Sequence, residues 1–198
     1  MERGSLRDLY ITELKKSRDA EAQLVSALPG VLAAASAEEL RRVFQSHLEH
    51  TKDHLARLEM MLDALGEKPR TKITAQPTQP TQGKKCAGME TLIAELQDLQ
   101  QEGLSSDILD LALIAYVQRI EHYEMALYGT LRDYAHALGD GDTALHLQST
   151  WEEEQSTDRQ LTSIGQAITA RVASTELAKE KIRSSFAEAT PSKIKPAA

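Results

Sequence analysis

A single cysteine, Cys86, in a chain of 198 residues excludes an intrachain disulfide framework and suits a reducing compartment. Aromatic residues make up only 4% of the chain, and Gly (10) and Pro (6) are scarce, so the punctuation that an all-β fold needs at its many turns is missing. No run approaches the roughly 20 apolar residues of a membrane-spanning helix, and the N-terminal MERGSLRDLY has no signal-peptide apolar segment. A cytoplasmic protein with no membrane partner is expected. Positive charge is short as well. Against 30 Asp and Glu stand 23 Lys and Arg, a formal net charge of −7, which argues against a nucleic-acid partner because phosphate contacts need clustered cations.

What the chain does have is Ala, Leu, Glu, Gln and Lys, all good helix formers. Apolar periodicity divides it into four long helices. The first is expected over 6–35, with Pro29-Gly30 kinking or interrupting it. Ser36 then reads as the N-cap of the second, with Glu39 completing a capping box, and Gly66 as the glycine that stops it after Leu65. The stretch EKPRTKITAQPTQPTQG is polar and proline-rich and reads as an extended connection, followed by a shorter helix over 84–101. A third long helix should start after Ser105-Ser106 and end before Gly139, and a fourth should cover 143–170 and run on as far as 189. Two short-linked helical hairpins joined by a long crossover form the layout of a ferritin-like four-helix bundle, with the short extra helix on the crossover between helices 2 and 3. Residues 1–171 would form the bundle, and 172–198 a helical extension with a disordered tail.

On each long helix, polar residues fall where the buried face should be. At 100° per residue, Ile114, Val117, Met125 and Tyr128 lie within about 40° of Glu121. Leu14, Leu24, Leu28 and Leu32 flank Glu21 within about 60°, and Leu147, Trp151, Leu161 and Ile168 flank Glu154 in the same way, with Asp158 one turn on. On the second helix His47, Thr51 and His54 sit inside the apolar stripe, with His50 at its edge; on the third, Glu124 and Gln118 flank Glu121. His122, His136, Glu49 and Glu152 face outward, with Glu153 at the margin. A buried unpaired carboxylate costs several kcal/mol, on the order of a large mutational effect. Carboxylates and imidazoles converging from four helices are the donor set of Fe, Mn or Zn, and a pair of divalent cations would offset their desolvation. The competing reading is a metal-free scaffold whose inward acids are protonated or paired with Arg18 and Arg119. Tyr128 reads as packing, and Cys86 as an inert buried thiol without a partner.

The segments DAEAQLVSALP, HLEHTKDHLARLE, KKCAGMETLIAE, ALIAYVQRIEHYEMALYGTLRDYAHALG and WEEEQSTDRQL, in that order, resemble the YciE/YciF family of bacterial ferritin-like proteins over about residues 6–168. The resemblance implies a bundle that is usually dimeric, with a rubrerythrin-like di-metal centre and an association with stress. Carried over by motif, the implied ligands are Glu21, His54, Glu121, Glu124, Glu154 and Asp158. His47, His50, Thr51, Gln118 and Tyr128 are the auxiliary candidates, and no catalytic residue is assigned. Two departures stand out. His50 occupies a position where family members commonly carry Glu, and the Glu-x-x-His pairs of the wider ferritin-like pattern read here Thr51-x-x-His54 and Glu154-x-x-Thr157, so a one-metal site stays open beside a two-metal one.

The function expected is a dinuclear protein, with two Fe or Mn ions (Zn also fits the donors), acting on peroxide or dioxygen. Glu21 and Glu154 would be terminal ligands, Glu121 with Glu124 a bridge, and His54 would complete one coordination sphere. The CxxC pairs of a rubredoxin domain are absent, which favours catalase-like or ferroxidase-like chemistry over rubrerythrin-type reduction. The alternatives are the metal-free structural or interaction dimer and an iron-storage shell.

Overall fold

Ser5 opens the first helix by a reciprocal cap: its Oγ accepts the Asp8 amide at 3.1 Å, and its own amide donates to the Asp8 carboxylate. A computed structural model describes residues 4–67 and 84–188 (backbone only at 100 and 185–188), and every helix below lies within them. Helix α1 (Leu6–Ala34) and helix α2 (Glu38–Ala64) form one hairpin; helix α3 (Ala87–Asp98), extended by a 3₁₀ turn, lies on the crossover; helix α4 (Ser106–Ala137) and helix α5 (Gly141–Glu188) form the second hairpin. The hairpins pack α1 against α4 and α2 against α5, while α3 rests on α1 and α4. The protein is an all-α, ferritin-like four-helix bundle with a long crossover, and among the described residues there is no strand. None of the described helices is long and apolar enough to cross a membrane.

Some ends follow the sequence signals and others do not. Gly66 and Gly139 both adopt positive φ, 80° and 81°, and in each the following amide reaches back to close the turn: Glu67 to the Leu62 carbonyl at 2.8 Å, Asp140 to the Ala135 carbonyl at 3.0 Å. Pro29, by contrast, does not interrupt α1. It is exposed, whereas Leu28 and Val31 on either side are buried, and their packing carries the helix across the missing amide. The capping box expected at Ser36 is also absent. Helix α2 begins one residue later with no cap from its own side chains, because the buried Asp110 of α4 accepts the Ser36 and Ala37 amides, both at 2.8 Å. A charged acceptor held by tertiary packing displaces the local hydroxyl. The short helix is trimmed from the expected 84–101 to 87–98, and α5 extends to residue 188. The proline-rich connection from 68 to 83 and the tail from 189 lie outside the described residues.

The KKCAGME segment seats α3. Cys86 donates its amide to Asp19 at 2.8 Å, and its buried Sγ lies 3.1 Å from the Tyr123 hydroxyl, so the thiol expected to lack a partner has one. A Cβ at Gly88 would stand 2.8 Å from that hydroxyl, so any larger residue there would make the Tyr123 ring shift.

The apolar interior is in two parts. One cluster includes Leu24, Leu28, Leu40, Phe44, Leu113, Val117 and Leu161; the other holds Tyr10, Leu14, Leu58, Leu62, Tyr128, Leu131 and Leu147. Along every bundle helix the passage from one cluster to the other crosses a buried polar residue: Glu21, His47 and His54, Glu121 and Glu124, and Glu154. A polar layer therefore divides the core at mid-height.

Candidate metal centre

Side chains reach this layer because each sits on the inward stripe of its helix with two turns or more of apolar residues on either side. Glu21, His47, Thr51, His54, Glu121, Glu124 and Glu154 are all 1% exposed or less. Their donor atoms gather into two groups. Glu21, His54 and Glu154, from α1, α2 and α5, each bring one donor within 4.8 Å of the others. His47, Glu121 and Glu124, from α2 and α4, do the same.

Distances within the layer connect the groups. Nδ1 of His54 is 2.9 Å from Glu154 Oε1 and 3.7 Å from Glu21 Oε1. Nε2 of His47 is 3.3 Å from Glu121 Oε1, while its Nδ1 is 3.9 Å from Glu154 Oε2. Glu154 thus faces both groups, one oxygen toward each. Tyr128 donates its hydroxyl to Glu21 Oε1, so it is more than packing.

Seen as hydrogen bonding, the layer is badly served. Among the described residues, both oxygens of Glu121, Glu124 and Glu154, Oε2 of Glu21, both ring nitrogens of His47 and Nδ1 of His54 have no hydrogen-bond partner. Native interiors rarely leave even a few such atoms per hundred residues. Here they converge on one small volume, and hard carboxylate oxygens with imidazole nitrogens suit a divalent first-row cation. The residues present therefore fit the metal pair that the fold family implies.

Protons answer the charge when no cation does. Burial pushes Glu21 up to about 8, with His54 pulling back against it and Glu154 adding to it. Burial, and then Glu154, raises Glu121 well above the ordinary carboxylate range; burial, and then Glu21, does the same for Glu124. His47 is held down to about 4 by burial, a neutral imidazole. Burial would depress His54 too, but its contacts with Glu153, Glu154 and Glu21 carry it up to about 10. Burial alone would raise Glu154, yet the facing His54 and His47 hold it below the usual value.

Five of the six implied ligands meet in the layer. Asp158 does not: it turns away to accept from Gln118 at 2.9 Å and faces the exposed His122 at 3.5 Å. Its shorter side chain sits one turn beyond Glu154, at the α4–α5 seam. Among the auxiliaries, His47 stands inside the second group, whereas Thr51 turns its hydroxyl back to the His47 carbonyl at 2.9 Å. His50 is half-buried, with its ring centre 6.3 Å from that of His54. Gln118 is occupied by Asp158 and Thr162. Neither arginine of the metal-free reading reaches the acids: Arg18 pairs with Glu59 at 2.8 Å, and Arg119 lies over the Tyr116 ring. Glu153, read only as marginal, meets His54 Nε2 at 2.6 Å.

Comparisons with known proteins agree with this architecture. Residues 5–174 match the model of a domain of unknown function, DUF892. Over 164 residues the chain is 35% identical to the protein YciF of Escherichia coli (strain K12), covering 83% of this chain and 92% of YciF. The crystal structure of that protein, described as a stress protein, superposes with a TM-score of 0.73 at 32% identity, over 85% of this chain and 99% of that one. YcfI of Rhodopseudomonas palustris superposes with a TM-score of 0.70 at 31% identity, over 80% and 94% of the two chains. A Xanthomonas campestris protein at 17% identity shares the fold, with a TM-score of 0.60. With the match spanning most of its length and the bundle intact, the chain belongs to the DUF892 family as a YciF-like protein.

Proposed function

We propose that the polar layer holds two divalent cations, Fe or Mn, and that the loaded protein acts on peroxide or dioxygen in stress defence, in a catalase-like or ferroxidase-like manner. The observation that carries this reading is the set of buried carboxylate and imidazole atoms, contributed by all four bundle helices, that face one another without hydrogen bonds. Glu21 and His54 would hold one cation, and His47, Glu121 and Glu124 the other. Glu154 faces both groups and would be shared between them, the role that sequence reasoning gave to Glu121 with Glu124. When bound, such a pair supplies two-electron exchange with a small oxidant.

The chain's own residues prepare for this in definable ways. Leu and Phe side chains above and below the layer keep water out, which strengthens every charge interaction within it. Protons on Glu21, Glu121 and Glu124 leave as cations enter, so the layer exchanges one form of positive charge for another. The Tyr128 hydroxyl holds Glu21 through Oε1 and leaves Oε2 open. The stress association comes from the relative, and the small-oxidant reading from the donor set.

Metal content per chain tests the reading. After anaerobic reconstitution with Fe(II) or Mn(II), elemental analysis should find about two metals in the wild type and a clear loss in Glu121→Gln, and peroxide turnover should follow metal content. No stoichiometric metal in the wild type would overturn it, leaving a scaffold whose buried acids keep their protons.

A further inference from the structure

His54 has two nitrogens, and the structure separates what each meets. Nδ1 looks into the layer, 2.9 Å from Glu154 and 3.7 Å from Glu21. Nε2 looks outward to Glu153 Oε2 at 2.6 Å. Glu153 is itself gripped by Arg57, which donates Nη1 to Oε2 at 2.9 Å and Nη2 to Oε1 at 3.2 Å. The same Nη1 also reaches the buried Thr150 hydroxyl at 3.0 Å, and the Ser149 hydroxyl lies 3.4 Å from Glu153 Oε1. This is an organised rim, built between α2 and α5, on the far side of the imidazole from the acids.

We propose that Glu153 is a positioning residue for the metal centre. By accepting Nε2–H, it fixes the imidazole in the form whose Nδ1 lone pair points into the layer, and Arg57 holds Glu153 in place to do so. The inference rests on the reading of the layer as a metal centre. A neutral imidazole carries its proton on either nitrogen, and only one of the two forms can ligate through Nδ1. A fixed acceptor on Nε2 selects that form and raises the basicity of Nδ1. Among the described residues, nothing else near Nε2 does this: the other close acids, Glu21 and Glu154, are on the Nδ1 side. Arg57 grips both oxygens of Glu153, so the carboxylate is held facing Nε2.

The test is Mn(II) titration of the full-length protein, with free Mn(II) read by its aqueous EPR signal. Glu153→Ala should bind at the His54 group about 10- to 100-fold more weakly than wild type. Glu153→Gln keeps an acceptor oxygen at the same reach and should recover part of that loss. Glu152→Ala, one residue away, exposed and hydrogen-bonded to Gln148, should bind as wild type does. Equal Mn(II) affinity in Glu153→Ala and wild type would overturn the proposal while leaving the metal centre standing. In the metal-free protein, ¹⁵N-edited NMR gives a second reading. The His54 Nε2–H should appear as a slowly exchanging downfield resonance that Glu153→Ala abolishes. Failure of the wild type to bind Mn(II) would overturn the metal-centre reading, and this resonance would still decide whether Glu153 holds the ring: its persistence unchanged in Glu153→Ala would refute the positioning role.

Discussion

Replacing Glu121 by leucine should stabilise the metal-free protein and destabilise the metal-loaded one relative to wild type. Glu121 is fully buried, with neither oxygen hydrogen-bonded, and burial keeps its proton on. A buried polar group without partners costs about 1–3 kcal/mol, and leucine fills a similar volume with none to satisfy. Loss of the 3.3 Å contact with His47 Nε2 offsets part of the gain. A net stabilisation of about 1–2 kcal/mol remains, or roughly 2–8 °C in Tm for a domain of this size. Saturating Mn(II), at about 100 times Kd, should add about 2.7 kcal/mol to the wild type and far less to a variant short of one ligand. The assay is thermal unfolding followed by circular dichroism, in chelator and in Mn(II). The order of the two melting temperatures should invert between the two conditions. A variant that melts below wild type in chelator would show that the carboxylate is already satisfied, and an equal rise with Mn(II) would show that it is not a ligand.

Other consequences follow from the same geometry. His54→Ala should destabilise the metal-free protein by about 3–5 kcal/mol, since the buried Glu154 loses its facing cation, and a urea melt measures it. Rising pH should weaken the metal-free fold. Glu21 and His54 both have folded values above their unfolded ones, about 8 against 4.5 and about 10 against 6.5. Their contributions are therefore full below the unfolded values and lost as pH climbs through the folded ones, up to about 1.4 kcal/mol per pH unit for each proton. Melts in chelator from pH 7 to pH 10 should show Tm falling, while Mn(II) affinity rises over the same range as protons leave the ligands. Asp110→Ala should cost about 1–2 kcal/mol by uncapping α2, with metal uptake unchanged because the cap lies away from the layer.

The inward set was legible because helix periodicity is strict. Glu21, Glu121, Glu124, Glu154, His47 and His54 fall on their apolar stripes by angle alone, and burial follows from that angle. Angle does not give height or partner. Asp158 lies near the direction of Glu154 but one turn along, where Gln118 of the neighbouring helix takes it. His47 and His54 share a direction too, and only the relative heights of α2, α4 and α5 assign one to each group. Glu153 and Arg57 depended on which helix stands beside α2, which no single-helix reading contains. Ser36 misled for a related reason: its capping box is a local pattern, and the acceptor that won comes from 74 residues away. Asp110 did leave a signal, a carboxylate three residues before Leu113 on the buried stripe, which only its partners explain.

The division of donors among helices sets an order on the ribosome. His47, Glu121 and Glu124 all come from α2 and α4, so every donor of that group has been synthesised once the chain has passed residue 124. The other group waits for Glu154 on the last helix, together with the Glu153 rim. A nascent chain therefore carries one full set of donors while the second still lacks Glu154. In the folded bundle α5 completes the second set, stands Glu154 between the two groups and helps bury both.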